Sequence, residues 1–107
     1  MAMDEIEELA GIFKALSDPT RLRLVKLLSE CSPGECRGEA LCVNALANKL
    51  GVSQSAVSQH LRVLKQVGLV RGVRQGYFVH YSLERDRLEQ YKARVLETLG
   101  ESFVTVK

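Results

Sequence analysis

The sequence predicts a mainly α fold: five helices plus a small two-stranded β-hairpin. Three observations carry that expectation. Five stretches repeat apolar residues at helical spacing, and each is bounded by capping or breaking residues. A short turn containing Gly51 separates the third stretch from the fourth. After Gly68 the apolar period switches from about 3.6 to about 2. Helix, tight turn, helix, hairpin is the order of a winged helix-turn-helix.

Each element has a local reason. From Asp4, apolar residues at Ile6, Leu9, Phe13 and Leu16 form a helical stripe. "SDPT" ends that helix and starts the next: Ser17 or Asp18 can accept from free N–H groups, and Pro19 suits the first helical position. Leu22, Leu24, Val25, Leu27 and Leu28 make the second helix apolar over much of its surface, which points to a central place and an end near Glu30. Pro33, Gly34 and Gly38 then mark a loop. Helix resumes around Leu41 or Cys42 and runs to Leu50, where Gly51 suits a left-handed closing position. Ser53 caps a fourth helix that runs to about Val67. "LVRGVRQGYFVHYSL" reads as two strands around "RQG", with Tyr77, Val79, Tyr81 and Leu83 on one face and Phe78, His80 and Ser82 on the other. A last helix spans about Asp86 to Leu99, with Leu88, Tyr91, Val95, Leu96 and Leu99 along one side.

At 107 residues, 46% hydrophobic and 26% charged, the chain reads as one folded domain, residues 1–107. No apolar run approaches the ~20 residues of a membrane span. The acidic start, "MAMDEIEELAG", lacks a signal peptide's pattern, so a cytoplasmic protein is expected. The net charge of +2 is unevenly spread: residues 1–18 carry −4, while residues 53–87 carry +4. A basic segment is the footprint of a polyanion or else a solvated face.

The fourth helix alone fits either a DNA-reading face or an ordinary amphipathic helix with a wet side; the adjoining turn and basic hairpin favour the polyanion. Val57, Leu61 and Leu64 fall on one side; Ser55, Ser58, Gln59, Arg62 and Gln66 fall on the other. Ser and Gln side chains can hydrogen-bond base edges, and Arg62 and Lys65 can neutralise phosphates. The free N–H groups after Ser53 offer a further anchor for a phosphate. In the hairpin, Arg71, Arg74 and Gln75 lie near the tip and could grip the backbone or enter a minor groove. A solvated strand edge defended by charge would look similar.

"SDPTRLRLVKLL", "LCVNALANKLGVSQSAVSQHLRVLKQVGLV" and "GVRQGYFVHYSL" together resemble the ArsR/SmtB family of repressors over about residues 6–100. The resemblance implies a homodimeric winged-helix repressor of double-stranded, pseudo-palindromic operator DNA. It assigns recognition to Ser55, Ser58, Gln59 and His60, and the wing to Arg74, Gln75 and Gly76. It assigns dimerisation to the first and last helices, here Ile6, Leu9 and Phe13 with Leu88, Tyr91, Val95 and Leu99. Family wings often place Arg directly after this glycine, whereas this chain has Tyr77. His60 sits on the flank of the buried face and could contact DNA or form a local hydrogen bond.

All three cysteines lie in "CSPGECRGEALC". The family's L-C-V-C sensor motif reads "LCVN" here: Cys42 matches its first thiol and Asn44 replaces its second. The family's carboxylate–histidine site on the last helix is also broken, with Arg85, Arg87 and Thr98 at ligand positions and Glu101 left alone. Cys31, Cys36 and Cys42 remain. A loop joining two helix ends could bring three sulfurs together, and a helix N-terminus with Arg37 nearby would favour the Cys42 thiolate. Three soft thiolates suit As(III), Sb(III), Cd, Pb or Cu(I) as an inducer. A redox or persulfide switch between two thiols is a second reading, and a trigger unrelated to the thiols is a third. No cofactor is expected for the fold. An enzyme is disfavoured: there is no Cys-x-x-Cys, and no acid–base partner neighbours the cysteines. A winged-helix protein-interaction module stays open as another class, with Arg62, Lys65, Arg71 and Arg74 against it.

Overall fold

In the computed structural model, residues 4–30 and 42–100 are described, with the side chain of Gln75 excepted. The elements are α1 (Glu5–Leu16), α2 (Pro19–Ser29), α3 (Val43–Leu50), α4 (Gln54–Gln66), β1 (Val70–Gln75), β2 (Phe78–Leu83) and α5 (Arg85–Leu99). Cys31, Cys36, Arg37 and Glu101 lie outside the described residues.

Local chemistry sets the helix ends. Asp4 caps α1 in a reciprocal capping box, its carboxylate accepting from the Glu7 N–H at 2.8 Å. Asp18 caps α2 by accepting from Thr20 and Arg21 N–H, with Pro19 as the first helical residue. Those N–H bonds, the Arg21 one foremost, hold the Asp18 carboxyl below its usual 3.8. Gly51 ends α3 at φ 69°, a left-handed value that a Cβ would strain. Ser53 then caps α4, its Oγ accepting from Ala56 N–H at 3.0 Å.

The core gathers where these elements meet. Leu24 and Leu28 of α2, Leu46 of α3, Val57, Leu61 and Leu64 of α4, and Leu69 are fully buried, with Ile12 and Tyr91 closing the edges. Each such side chain stabilises the fold by about 1.5–3 kcal/mol. The second helix is central, packing on α1, α3, α4 and β2. Leu22 nevertheless faces outward, so the apolar excess of that helix is only partly buried.

The strands pair antiparallel, Val70 with Leu83 through Gln75 with Phe78. That register leaves a two-residue turn, Gly76–Tyr77, with positive φ at Gly76 alone, as in a type II′ hairpin. The expectation of strands around "RQG" is corrected accordingly. Gln75 is a paired strand residue, and Tyr77 is a turn residue, 98% exposed, rather than a member of the inner face. The register is fixed at the base, where Val70 and Leu83 are buried, and at Gly72, where any Cβ would sit 2.9 Å from the Tyr81 and Val79 side chains.

The last helix clamps the others. Tyr91 Oη donates to the Val67 carbonyl at 3.0 Å, tying α5 to the end of α4. Arg87 lies beside Gly68 and hydrogen-bonds Tyr91, and that bond pushes its guanidinium pKa further up. Arg94 pairs with Glu8 and Glu5 of α1, which likewise raises its pKa. No helix among the described residues is long and apolar enough to cross a membrane.

Candidate nucleic-acid interface

The Gly51–Ser53 turn sets α4 against α3 and leaves one side of α4 in solvent. Burial of Val57, Leu61 and Leu64 fixes the helix rotation, so Ser55, Ser58, Gln59, Arg62, Lys65 and Gln66 are exposed as a consequence. The face begins with small polar side chains at the N-terminus and becomes basic towards the C-terminus. Among the described residues, Arg62, Lys65 and Arg74 have no ion-pair partner. Arg71 is 4.0 Å from Glu84 and remains exposed.

Sequence reading missed a sharper electrostatic signal. From residue 42 to residue 83 there are five Lys or Arg and no Asp or Glu. That acid-free run contains the whole of α3, α4 and the hairpin. Such a run suits a polyanion; acids from outside it approach at Asp18, 3.9 Å from His60, and at Glu84, 4.0 Å from Arg71. Gln54, the first residue of α4, was also missed. It is exposed beside Ser53, and its Nε2 donates to Asn44 Oδ1 at 3.0 Å.

The remaining site residues divide by element. Arg71 and Arg74 are exposed on β1. His60 is drawn into the scaffold: its Nδ1 lies 3.3 Å from Arg21 Nη1, and its Nε2 lies 3.9 Å from Asp18. Arg21 also donates from Nε to the Ala15 carbonyl. Of the two readings left open for His60, the geometry matches the local hydrogen bond, which joins α4 to the α1–α2 corner.

Cys42 is the N-cap of α3, yet its side chain makes no capping hydrogen bond and is only 3% exposed. The side chain is thus buried rather than presented to solvent. Among the described residues, no three His, Cys, Asp or Glu side chains are gathered to hold a metal ion.

The first and last helices pack on each other. Leu9 and Tyr91, expected on a dimer face, are enclosed within the protomer, and Leu88 and Val95 are half-buried. Ile6 (61% exposed), Phe13, Leu96 and Leu99 (64%) remain on the surface.

Residues 18–71 match the family model described as "Bacterial regulatory protein, arsR family". The chain is 38% identical to the transcriptional repressor SmtB homolog of Synechocystis sp., over 95% of this chain and 71% of that protein. It is 40% identical to the arsenical resistance operon repressor of Escherichia coli, over 80% of this chain and 67% of that one. Its fold is similar to the solution structure of a homodimeric winged helix-turn-helix DNA-binding domain from Mycobacterium bovis. That match has a TM-score of 0.66 and 25% identity, covering 92% of this chain and 90% of that one. An exposed recognition-type helix, a basic wing and these likenesses agree: the chain belongs to the ArsR/SmtB family of winged helix-turn-helix, DNA-binding transcriptional regulators.

Proposed function

We propose that residues 1–107 act as one winged helix-turn-helix domain, a cytoplasmic homodimeric repressor of a pseudo-palindromic operator. The exposed polar and basic face of α4, within a stretch of sequence that holds five bases and no acid, carries this reading. Ser55, Ser58 and Gln59 read base edges, while Ser53, Arg62, Lys65, Arg71, Arg74 and Gln75 hold the backbone. His60 contributes by bracing α4 against Arg21 and Asp18 rather than by touching bases.

Exposed Ile6, Phe13, Leu96 and Leu99 supply an apolar face for a second copy. The homodimeric Mycobacterium bovis domain supports that assembly. A twofold axis would set two α4 helices about 34–36 Å apart, one turn of DNA.

The test is affinity for selected DNA across a salt series. Each phosphate neutralised contributes about −0.9 to the log–log slope. Arg74→Ala should weaken all sequences alike and flatten that slope. Ser58→Ala should cost about 1–3 kcal/mol on the selected site and far less on random DNA. A flat salt response in the wild type would instead indicate a protein-interaction module.

For the trigger, Cys31, Cys36 and Cys42 are the proposed soft-ligand site, releasing the operator on binding As(III), Sb(III), Cd, Pb or Cu(I). Support comes from the clustering of all three thiols and from the likeness to a repressor named for arsenical resistance. Cys42 is the N-cap of α3, the first helix of the helix-turn-helix, so a ligand on its sulfur would bear directly on that motif. Arsenite, Cd(II) and a persulfide donor should be compared on wild type and a triple serine variant. A loss of about tenfold in operator affinity corresponds to about 1.4 kcal/mol of coupling. Ligand silence in the wild type would refute the thiol trigger while leaving the repressor intact.

A further inference from the structure

We infer that Asn44 is a positioning residue that fixes the amide of Gln54, and that Gln54 so held reads the major-groove edge of an adenine. The inference rests on the proposed operator-binding function. Gln54 opens α4 immediately after its cap, and Asn44 lies in the first turn of α3, across the Gly51–Ser53 turn. Gln54 Nε2 donates to Asn44 Oδ1 at 3.0 Å, and both side chains are exposed on the basic surface.

A glutamine amide offers two N–H donors and one carbonyl acceptor. Asn44 occupies one N–H. With the N–H anti to Oε1 given to Asn44, the Oε1 acceptor and the remaining N–H lie side by side on the amide edge. Adenine presents the complementary pair, an N6–H donor next to the N7 acceptor. Guanine presents two acceptors there and cannot satisfy Oε1. The bond to Asn44 therefore does two things. It removes rotamers that the free side chain would lose on docking, and it forces a donor–acceptor edge rather than a two-donor edge.

Two neighbours reinforce the arrangement. Ser53 Oγ accepts the Ala56 N–H, which caps α4 and fixes the backbone from which Gln54 projects. No acidic side chain lies anywhere in α3 or α4 to compete for the Gln54 N–H groups.

The experiment is selection of binding sites from randomised duplex DNA with the full chain, in wild type, Asn44→Ala, Asn44→Asp and Gln54→Ala. Wild type should favour adenine at one position of each half-site. Asn44→Ala should relax that position by about three- to tenfold while leaving other positions unchanged. Gln54→Ala should relax it by about tenfold or more. Aspartate can only accept, so Asn44→Asp should lower affinity for all DNA yet keep the adenine preference. Replacing that adenine with 7-deazaadenine should penalise wild type and Asn44→Asp but not Gln54→Ala. An unchanged preference in Asn44→Ala, or loss of preference in Asn44→Asp, would overturn the positioning role. If wild type enriches no sequence at all, the operator-binding function itself fails, and this inference with it.

Discussion

Tyr91→Phe isolates the bond that ties α5 to the end of the recognition helix. The substitution deletes one oxygen and keeps the ring, which is 4% exposed in the core. Tyr91 Oη donates to the Val67 carbonyl at 3.0 Å and receives an Arg87 N–H at 3.5 Å. The first bond is well formed, whereas the second is at the limit of hydrogen-bond distance and adds little. A neutral hydrogen bond of this kind is worth about 0.5–1.5 kcal/mol net. The bond is part-buried, which keeps the loss near the middle of that range. The expected destabilisation is about 1 kcal/mol, or roughly 4–8 °C in Tm for a domain of this size. Tyr91→Ala also empties the ring site and should cost about 3–5 kcal/mol. Urea and thermal unfolding followed by circular dichroism, at one fixed protein concentration, would measure both. A Tyr91→Phe variant within about 0.3 kcal/mol of wild type would refute the claim that this bond clamps α4, since even the low end of the range exceeds that margin.

Other expectations follow from the same contacts. Ser53→Ala removes the cap of α4 and should cost about 1 kcal/mol in urea unfolding, with Ser53→Asp largely restoring it. Asp18 has a folded pKa below its unfolded one, so its stabilisation is fully present above the usual 3.8 and disappears as pH falls through the lower folded value. Asp18→Asn should therefore flatten the acid limb of a stability–pH curve below about pH 4, and an unaltered limb would refute this. Ile6→Asp with Leu99→Asp should shift sedimentation from dimer to monomer and weaken operator binding with it; an unchanged dimer would place the interface elsewhere.

Helix ends were legible because they obey neighbours in sequence. Asp18 with Pro19, Gly51, Ser53 and Gly68 act within a turn of their own positions, so the boundaries of α2, α3 and α4 fall within a residue or two of expectation. The exposed face of α4 followed from three buried positions at helical spacing, a rule that needs no partner. The candidate interface was correspondingly readable at Ser55, Ser58, Gln59, Arg62 and Lys65.

What required the third dimension was every feature set by residues distant in sequence. Gly76 permits more than one hairpin register; burial of Val70 with Leu83 and the crowding at Gly72 select the one that places Tyr77 in the turn. Periodicity put Leu9 and Tyr91 on apolar stripes but could not say which side of each stripe the protomer covers. His60 meets Arg21, 39 residues away, and Gln54 meets Asn44 across the turn. The sequence by itself determined the family, the order of elements and the basic face, because these depend on local propensity and composition. The tertiary structure decided which polar side chains are held by another element and which stay exposed, because a hydrogen bond between elements depends on how those elements pack.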